Sequence, residues 1–155
     1  MGVEIERKFL VNRRQWEALE KPEGKRYRQG YLYNDAQKTI RVRIAEDAAF
    51  LTIKGETMGL SRPEFEYPLP LADAEELLDA FTSTQVIKTR YRIPFEGKIW
   101  EVDAFAGENE GLILAELELE SEEEVFLLPD WIDREVTGDP RYYNSFLANQ
   151  PFTTW

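Results

Sequence analysis

The sequence predicts an α+β chain in which eight antiparallel strands close into a barrel, with a few helices beside it. Eight segments alternate apolar and polar residues with the period of two that a pleated strand imposes. Short turn signals such as Asn34-Asp35, Glu46-Asp47 and Glu96-Gly97 separate many of them, which favours antiparallel neighbours. Strands so numerous and so briefly joined bury their edges best by closing on themselves.

The elements follow in chain order. Residues 3–11 alternate Glu4, Glu6 and Lys8 with Val3, Ile5 and Phe9, and a short helix is expected over 13–20. A strand over 26–34 carries Tyr27, Tyr31 and Tyr33. The next, 38–46, sets Thr39, Arg41 and Arg43 against Ile40, Val42 and Ile44. In 49–55, Thr52 and Lys54 flank Ile53; a loop to Ser61 then leads into a strand over 62–68. A helix is expected over 71–82, with Asp73 as its cap and Leu77, Leu78 and Phe81 on one face. Strand 86–94 sets Lys88, Arg90 and Arg92 against Ile87, Tyr91 and Ile93, and a strand over 98–105 follows. The last expected strand, 112–120, alternates Glu116, Glu118 and Glu120 with Leu117 and Leu119. Pro129 and Trp131 read as irregular chain, and Thr137-Gly138-Asp139-Pro140 starts a final helix over 140–148. Trp16, Phe81, Tyr91, Phe105, Trp131 and Phe146 are expected to pack in cores.

Composition narrows the function. A chain of 155 residues with 43% hydrophobic and 13% aromatic content reads as one folded domain, 1–155. No apolar run is long enough for a transmembrane helix, and no signal peptide is visible. Without cysteine there is no disulfide or thiolate nucleophile, which fits a cytoplasmic location. Without histidine the commonest general base and zinc ligand are missing, so any metal must be held by oxygen, as Mg²⁺, Mn²⁺ or Ca²⁺ are. By default, no group on the charged strand faces titrates near neutrality. A net charge of −11 argues against nucleic acid as a partner and in favour of a small, highly charged anion that can enter a cleft.

Two orientations of the barrel fit this pattern. With charges outward, the interior is apolar and the charge is merely solvated. With charges inward, the helices must cover an apolar exterior. Segregation of sign favours the second, because a solvated sheet face mixes Glu and Lys as cross-strand partners.

The opening VEIERKFLV, with Glu4-x-Glu6-x-Lys8, resembles the signature of the CYTH superfamily, the triphosphate tunnel metalloenzymes. The likeness continues through RQGYL at 28–32, TIRVRI at 39–44, LTIKG at 51–55, SRPEFEY at 61–67, KTRY at 88–91, EVD at 101–103, AELELES at 115–121 and EVTGDPRYYNSFLA at 135–148. It implies a tunnel lined by charged side chains and an enzyme that hydrolyses a triphosphate, here of the short bacterial inorganic triphosphatase type. On that resemblance Lys8, Arg41, Arg43, Lys54, Lys88 and Arg90 bind substrate. Arg62 and Arg134 are further candidates near strand or helix ends.

The same resemblance implies that Glu4, Glu6, Glu116 and Glu118 hold Mg²⁺ or Mn²⁺, and that metal-activated water attacks the terminal phosphorus. Glu4, Glu6, Lys8 and Glu64 are then the catalytic set, with Glu64 orienting cations or a second metal. Glu66 and Asp103 fit family positions, and Glu120 is expected to be solvated with the acidic run that it begins. Thiamine or nucleoside triphosphatase and adenylate cyclase activities share this triphosphate grip. A polyphosphate- or nucleotide-binding module without catalysis would need the cations but not the four carboxylates.

Overall fold

Inside and outside are exchanged in this barrel relative to an ordinary sheet protein: charge lines the interior and the apolar faces look outward. The structure, a computed structural model, describes residues 2–155. Eight strands form the ring: β1 (Gly2–Val11), β2 (Lys25–Asn34), β3 (Lys38–Ala45), β4 (Ala48–Gly55), β5 (Ser61–Leu69), β6 (Gln85–Phe95), β7 (Lys98–Phe105) and β8 (Ile113–Glu118). Their order is β5-β4-β3-β2-β6-β7-β8-β1, antiparallel throughout, and pairing of β1 with β5 closes it. A ninth strand, β9 (Ile132–Glu135), follows the irregular chain at Pro129 and Trp131, where no strand is expected. It pairs with the far end of β1, where β5 leaves that edge free. Four residues of mixed polarity give too little alternation to read from sequence.

The turns act as the sequence suggests. β6 and β7 join through Glu96-Gly97, both at positive φ (48° and 78°), which matches the right-handed twist of the paired strands. Three apolar clusters lie outside the ring, each under its own cover. Helix α1 (Arg13–Ala18) brings Trp16 against Phe9, Trp100 and Trp131 in the first. Its aromatic rings meet edge-on, Trp16 to Trp131 at 5.7 Å and Trp100 to Trp131 at 6.0 Å. Helix α2 (Leu71–Phe81) buries Ala74 and Leu78 against Val42, Ile44 and Ala49. The C-terminal segment covers the third, with Tyr142, Leu147 and Ala148 on Val86, Phe105, Leu112 and Leu114.

Three local expectations are corrected. Asp73 does not cap α2: Pro70 holds the cap position with no side-chain hydrogen bond, and Asp73 sits in the first turn. Phe81 is 67% exposed: the buried stripe of α2 runs through Ala74 and Leu78, and Phe81, the last residue of the helix, is not part of it. The final helix over 140–148 is split into a 3-10 turn at Pro140–Tyr142 and helix α3 (Asn144–Asn149). That turn is capped by Asp139, whose carboxylate accepts from the Arg141 N–H.

Candidate active site

The ring encloses a cavity of about 310 Å³ whose lining is mainly polar, with Ala45, Phe50 and Leu60 among the apolar exceptions. Seven cations face it (Lys8, Arg41, Arg43, Lys54, Arg62, Lys88 and Arg90), and so do seven carboxylates (Glu4, Glu6, Glu64, Glu66, Glu101, Glu116 and Glu118). Their distribution round the ring is not random. Every one of these carboxylates comes from the adjacent strands β7, β8, β1 and β5. Five of the seven cations come from the other half, on β4, β3 and β6. Strand pleating explains the selection: alternate residues point inward, so Glu4, Glu6 and Lys8 enter while Arg7 between them turns out to Glu135, 2.7 Å away.

On the cationic half the side chains are held before any ligand arrives. Arg90 donates to both oxygens of Asp103, from Nε at 2.7 Å and Nη2 at 2.9 Å, and Lys88 Nζ reaches the same carboxylate at 2.8 Å. Burial opposes the charge of Asp103, yet Arg90 and Lys88 hold its pKa down to about 2. Burial pushes Lys88 down to about 7, assisted by Arg90 and Arg43 and resisted by Asp103. Sequence alone puts no titrating group near neutrality; enclosure supplies one. Arg43 is pushed down to about 10 by burial and by the charges of Arg41 and Arg90. Arg41 donates to Thr52 Oγ1 at 3.2 Å, but its buried Nε has no acceptor. A buried donor left unpaired costs about 1–3 kcal/mol, so this wall is short of a hydrogen-bond acceptor.

The acidic half is crowded by like charge. Glu6 stands opposite Glu118 across the β1–β8 pair, and Glu101 stands opposite Glu116 across β7–β8. Like charges in such positions repel. Burial, Glu116 and Glu4 raise the pKa of Glu6 well above the carboxylate range, and burial with Glu4 and Glu101 raises that of Glu118. Glu116 goes the other way: against the cost of burial, Lys8 and Arg90 hold it well down. Glu4 is taken up by Lys54, whose Nζ lies 3.0 Å from both of its oxygens and 3.4 Å from Glu64.

These carboxylates suit a hard divalent cation in donor type and in their surplus of unrelieved charge. Among the described residues, no three of them already converge as a finished cage. Binding by Glu4 therefore requires it to exchange Lys54 for the ion.

All predicted site residues but one line this cavity. Arg134 is exposed on β9 and does not line it. Arg92 is exposed and Glu120 is solvated, so the inward face ends before either. Sequence reading missed Glu101 and the C-terminal contribution of Thr137, Gly138, Tyr143, Asn144 and Ser145. Glu101 shares the inward parity of Asp103 within EVD, a signal that was available. Tyr27, Tyr31 and Tyr33 diverge at a bulge between Tyr31 and Tyr33. Tyr27 lies under Arg43 and Arg90, at 5.0 and 5.2 Å from its ring centroid, whereas exposed Tyr33 bonds Asp35.

Comparison with known proteins agrees with this architecture. The family model described as CYTH domain matches residues 2–143. An inorganic triphosphatase of Acetivibrio thermocellus is 52% identical over 153 residues, 98% of this chain and 97% of that protein. One of Nitrosomonas europaea is 39% identical over 154 residues, 94% and 96% of the two chains. The crystal structure of the inorganic triphosphatase NE1496 superposes with a TM-score of 0.65 at 36% identity, covering 94% of this chain and 93% of that one. A closed ring of eight strands, a charge-sorted interior and a family match over nearly the whole length lead to one assignment: this chain belongs to the CYTH domain family.

Proposed function

We propose that the protein is a divalent-metal-dependent inorganic triphosphatase, which hydrolyses tripolyphosphate to pyrophosphate and phosphate. The observation that carries this reading is the sorting of charge within one cavity, with all seven carboxylates on one half and five of the seven cations on the other. A polyanion alone would suit a purely cationic pocket, and a metal alone a purely acidic one. A cavity with both halves suits the two together, because a metal–triphosphate complex matches each wall with its opposite charge.

Lys8, Arg41, Arg43, Lys54, Lys88 and Arg90 bind the phosphate oxygens, the arginines by planar bidentate contact and the lysines as point charges. The orphaned Nε of Arg41 gains its acceptor from the substrate. Arg62, whose Nε donates to the Gly55 carbonyl at 3.2 Å, stands beside the 56–60 loop and meets the substrate there. Glu4, Glu6, Glu116 and Glu118 would hold Mg²⁺ or Mn²⁺, which when bound supplies Lewis-acid stabilisation of phosphate charge and lowers the pKa of water. Glu64 competes with Glu4 for Lys54 and so orients that lysine once Glu4 turns to a cation. Water attacks the terminal phosphorus directly; no side-chain nucleophile is needed, since phosphoryl transfer depends on positioning and charge.

A phosphate-release panel tests this, with tripolyphosphate, ATP, GTP and thiamine triphosphate, each with Mg²⁺ and Mn²⁺. Tripolyphosphate is expected to be cleaved fastest. Faster cleavage of thiamine triphosphate overturns the substrate assignment, and cyclic AMP from ATP makes the protein a cyclase. A ligand-dependent rise in melting temperature without phosphate release makes it a binding module.

A further inference from the structure

Against the cationic wall lies a pair of carboxamides that the chemistry above does not use, Gln29 behind it and Asn144 at the cavity surface. Gln29, from β2, is fully buried. Its Oε1 accepts from Arg43 Nε at 2.9 Å, and its Nε2 donates to Asn144 Oδ1 at 3.2 Å. The same Asn144 oxygen, from the first residue of α3, accepts from Lys88 Nζ at 2.9 Å. The polarity of this chain is forced. Arginine and lysine can only donate, so each must meet an amide oxygen. That turns the Gln29 NH₂ toward the second lone pair of Asn144.

We propose that Gln29 and Asn144 are positioning residues that hold Arg43 and Lys88 toward the substrate without neutralising them. The inference rests on the triphosphatase reading and deepens it. A carboxylate in either place would grip its cation more strongly, because it would add the Coulomb attraction of a full ion pair to a hydrogen bond that the cation already makes charge-assisted. It would also cancel the charge that a phosphate needs.

The molecule uses both kinds of holder side by side. Arg90 is paired to Asp103 through two hydrogen bonds and is in large part neutralised. Arg43 has no carboxylate partner among the described residues and is held by the neutral Gln29 and by the Tyr27 ring, 5.0 Å from its guanidinium. Lys8 also has a neutral holder, its Nζ donating to the Tyr142 carbonyl at 3.0 Å, but it stands opposite Glu116 and shares its charge with that carboxylate. Lys88 stands between the two kinds, with Asp103 on one side and Asn144 on the other. The relay spans 115 residues of sequence, so the C-terminal segment both closes over the ring and sets the direction of two cations on its inner wall.

The test separates positioning from simple anchoring of the C-terminal segment. Wild type, Gln29→Glu and Gln29→Met are compared by kcat, KM, calorimetric binding of tripolyphosphate and melting temperature. In Gln29→Glu the hydrogen bond to Arg43 is kept and strengthened, while the donor to Asn144 is lost. Its melting temperature is expected to fall no further than that of Gln29→Met, which loses both bonds, while KM and Kd for tripolyphosphate rise about tenfold or more, the loss of one charge-assisted contact. Gln29→Met should lower the melting temperature and raise KM together.

A Gln29→Glu protein that folds and binds tripolyphosphate within twofold of wild type overturns the inference. If that variant does not fold, Asn144→Asp makes the same test on Lys88 from a half-buried position. A folded Asn144→Asp protein with raised KM supports the inference, and an unchanged KM overturns it. Wild-type protein that neither binds nor cleaves tripolyphosphate overturns the triphosphatase reading itself, a result distinct from either of these.

Discussion

On the half of the ring built from β4, β3, β2 and β6, the cations rest on partners that fix them: Arg90 and Lys88 on Asp103, Arg43 on Gln29, Arg41 on Thr52. On the half built from β7, β8, β1 and β5, carboxylate faces carboxylate at Glu6–Glu118 and at Glu101–Glu116, and the second pair is relieved in part by Arg90, 3.4 and 3.7 Å from its two members. The first wall is finished before an anion arrives and lacks only an acceptor. The second is strained by its own charge and becomes comfortable when a cation enters. The difference teaches that one cavity can be preorganised toward one ligand and dependent on another. The dividing property is whether neighbouring charges are paired within the protein.

The largest effect is expected at the strained wall. Glu6→Gln keeps size and removes a negative donor, so turnover should fall about 100-fold, with a higher metal requirement. Without divalent metal the same change should stabilise the fold, because it removes a repelled charge. Full activity in a folded Glu6→Gln protein would break the division into two walls. At the paired wall the opposite holds for Asp103. Asp103→Asn leaves Lys88 and Arg90 sharing no carboxylate, and should cost about 3–5 kcal/mol in denaturant unfolding. A loss under 1 kcal/mol would show that wall to be less tightly paired than its geometry implies.

Acid should separate the walls by sign. Asp103 has its pKa lowered from 3.8 to about 2, so its contribution is present above the ordinary value and is lost as pH falls through about 2. Glu6 has its pKa raised above 4.5, so its contribution is present below 4.5 and is lost as pH rises through the raised value. Metal-free protein should therefore gain stability on mild acidification from neutrality, and Glu6→Gln should flatten that gain. Melting temperatures across pH 2–6.5, below the titration of Lys88 near 7, with and without a chelator, check both statements.

Smaller effects sharpen the boundary. Arg43→Ala should lower kcat/KM about 10- to 100-fold and kcat less, because it removes a contact that both binds substrate and stabilises the transition state. Lys88, pushed to about 7 by burial, should take up a proton when tripolyphosphate binds at pH 8. Binding heats in buffers of different ionisation enthalpy would reveal that uptake, and identical heats would refute it. Least affected is Arg7→Gln, since Arg7 faces outward to Glu135 between two tunnel residues. Turnover should be unchanged and stability should fall by no more than about 1 kcal/mol.

Much of this architecture was legible because a strand states its faces in the chain itself. Alternation at Glu4-Glu6-Lys8, Arg41-Arg43 and Glu116-Glu118 marks which residues share a face, and all of these line the cavity. The faint elements were those without periodicity. β9 has four residues of mixed polarity, and the 137–145 segment contributes by its position over the ring, not by any repeat. Phe81 fits the apolar face of α2 in sequence and is exposed, since only packing decides how far along a helix the sheet extends.

The sequence by itself determined the strands, the sorting of charge among them and the oxygen-only donor set left by a chain without histidine or cysteine. Segregation of sign favoured inward-pointing charge, and the tertiary structure fixed it, because the apolar exterior needs α1, α2 and the C-terminal segment to cover it. It also decided which charges meet. Lys88 is an ordinary lysine in the chain and a near-neutral titrating group in the fold, since desolvation and neighbouring charge exist only once β2, β3, β6, β7 and α3 surround it.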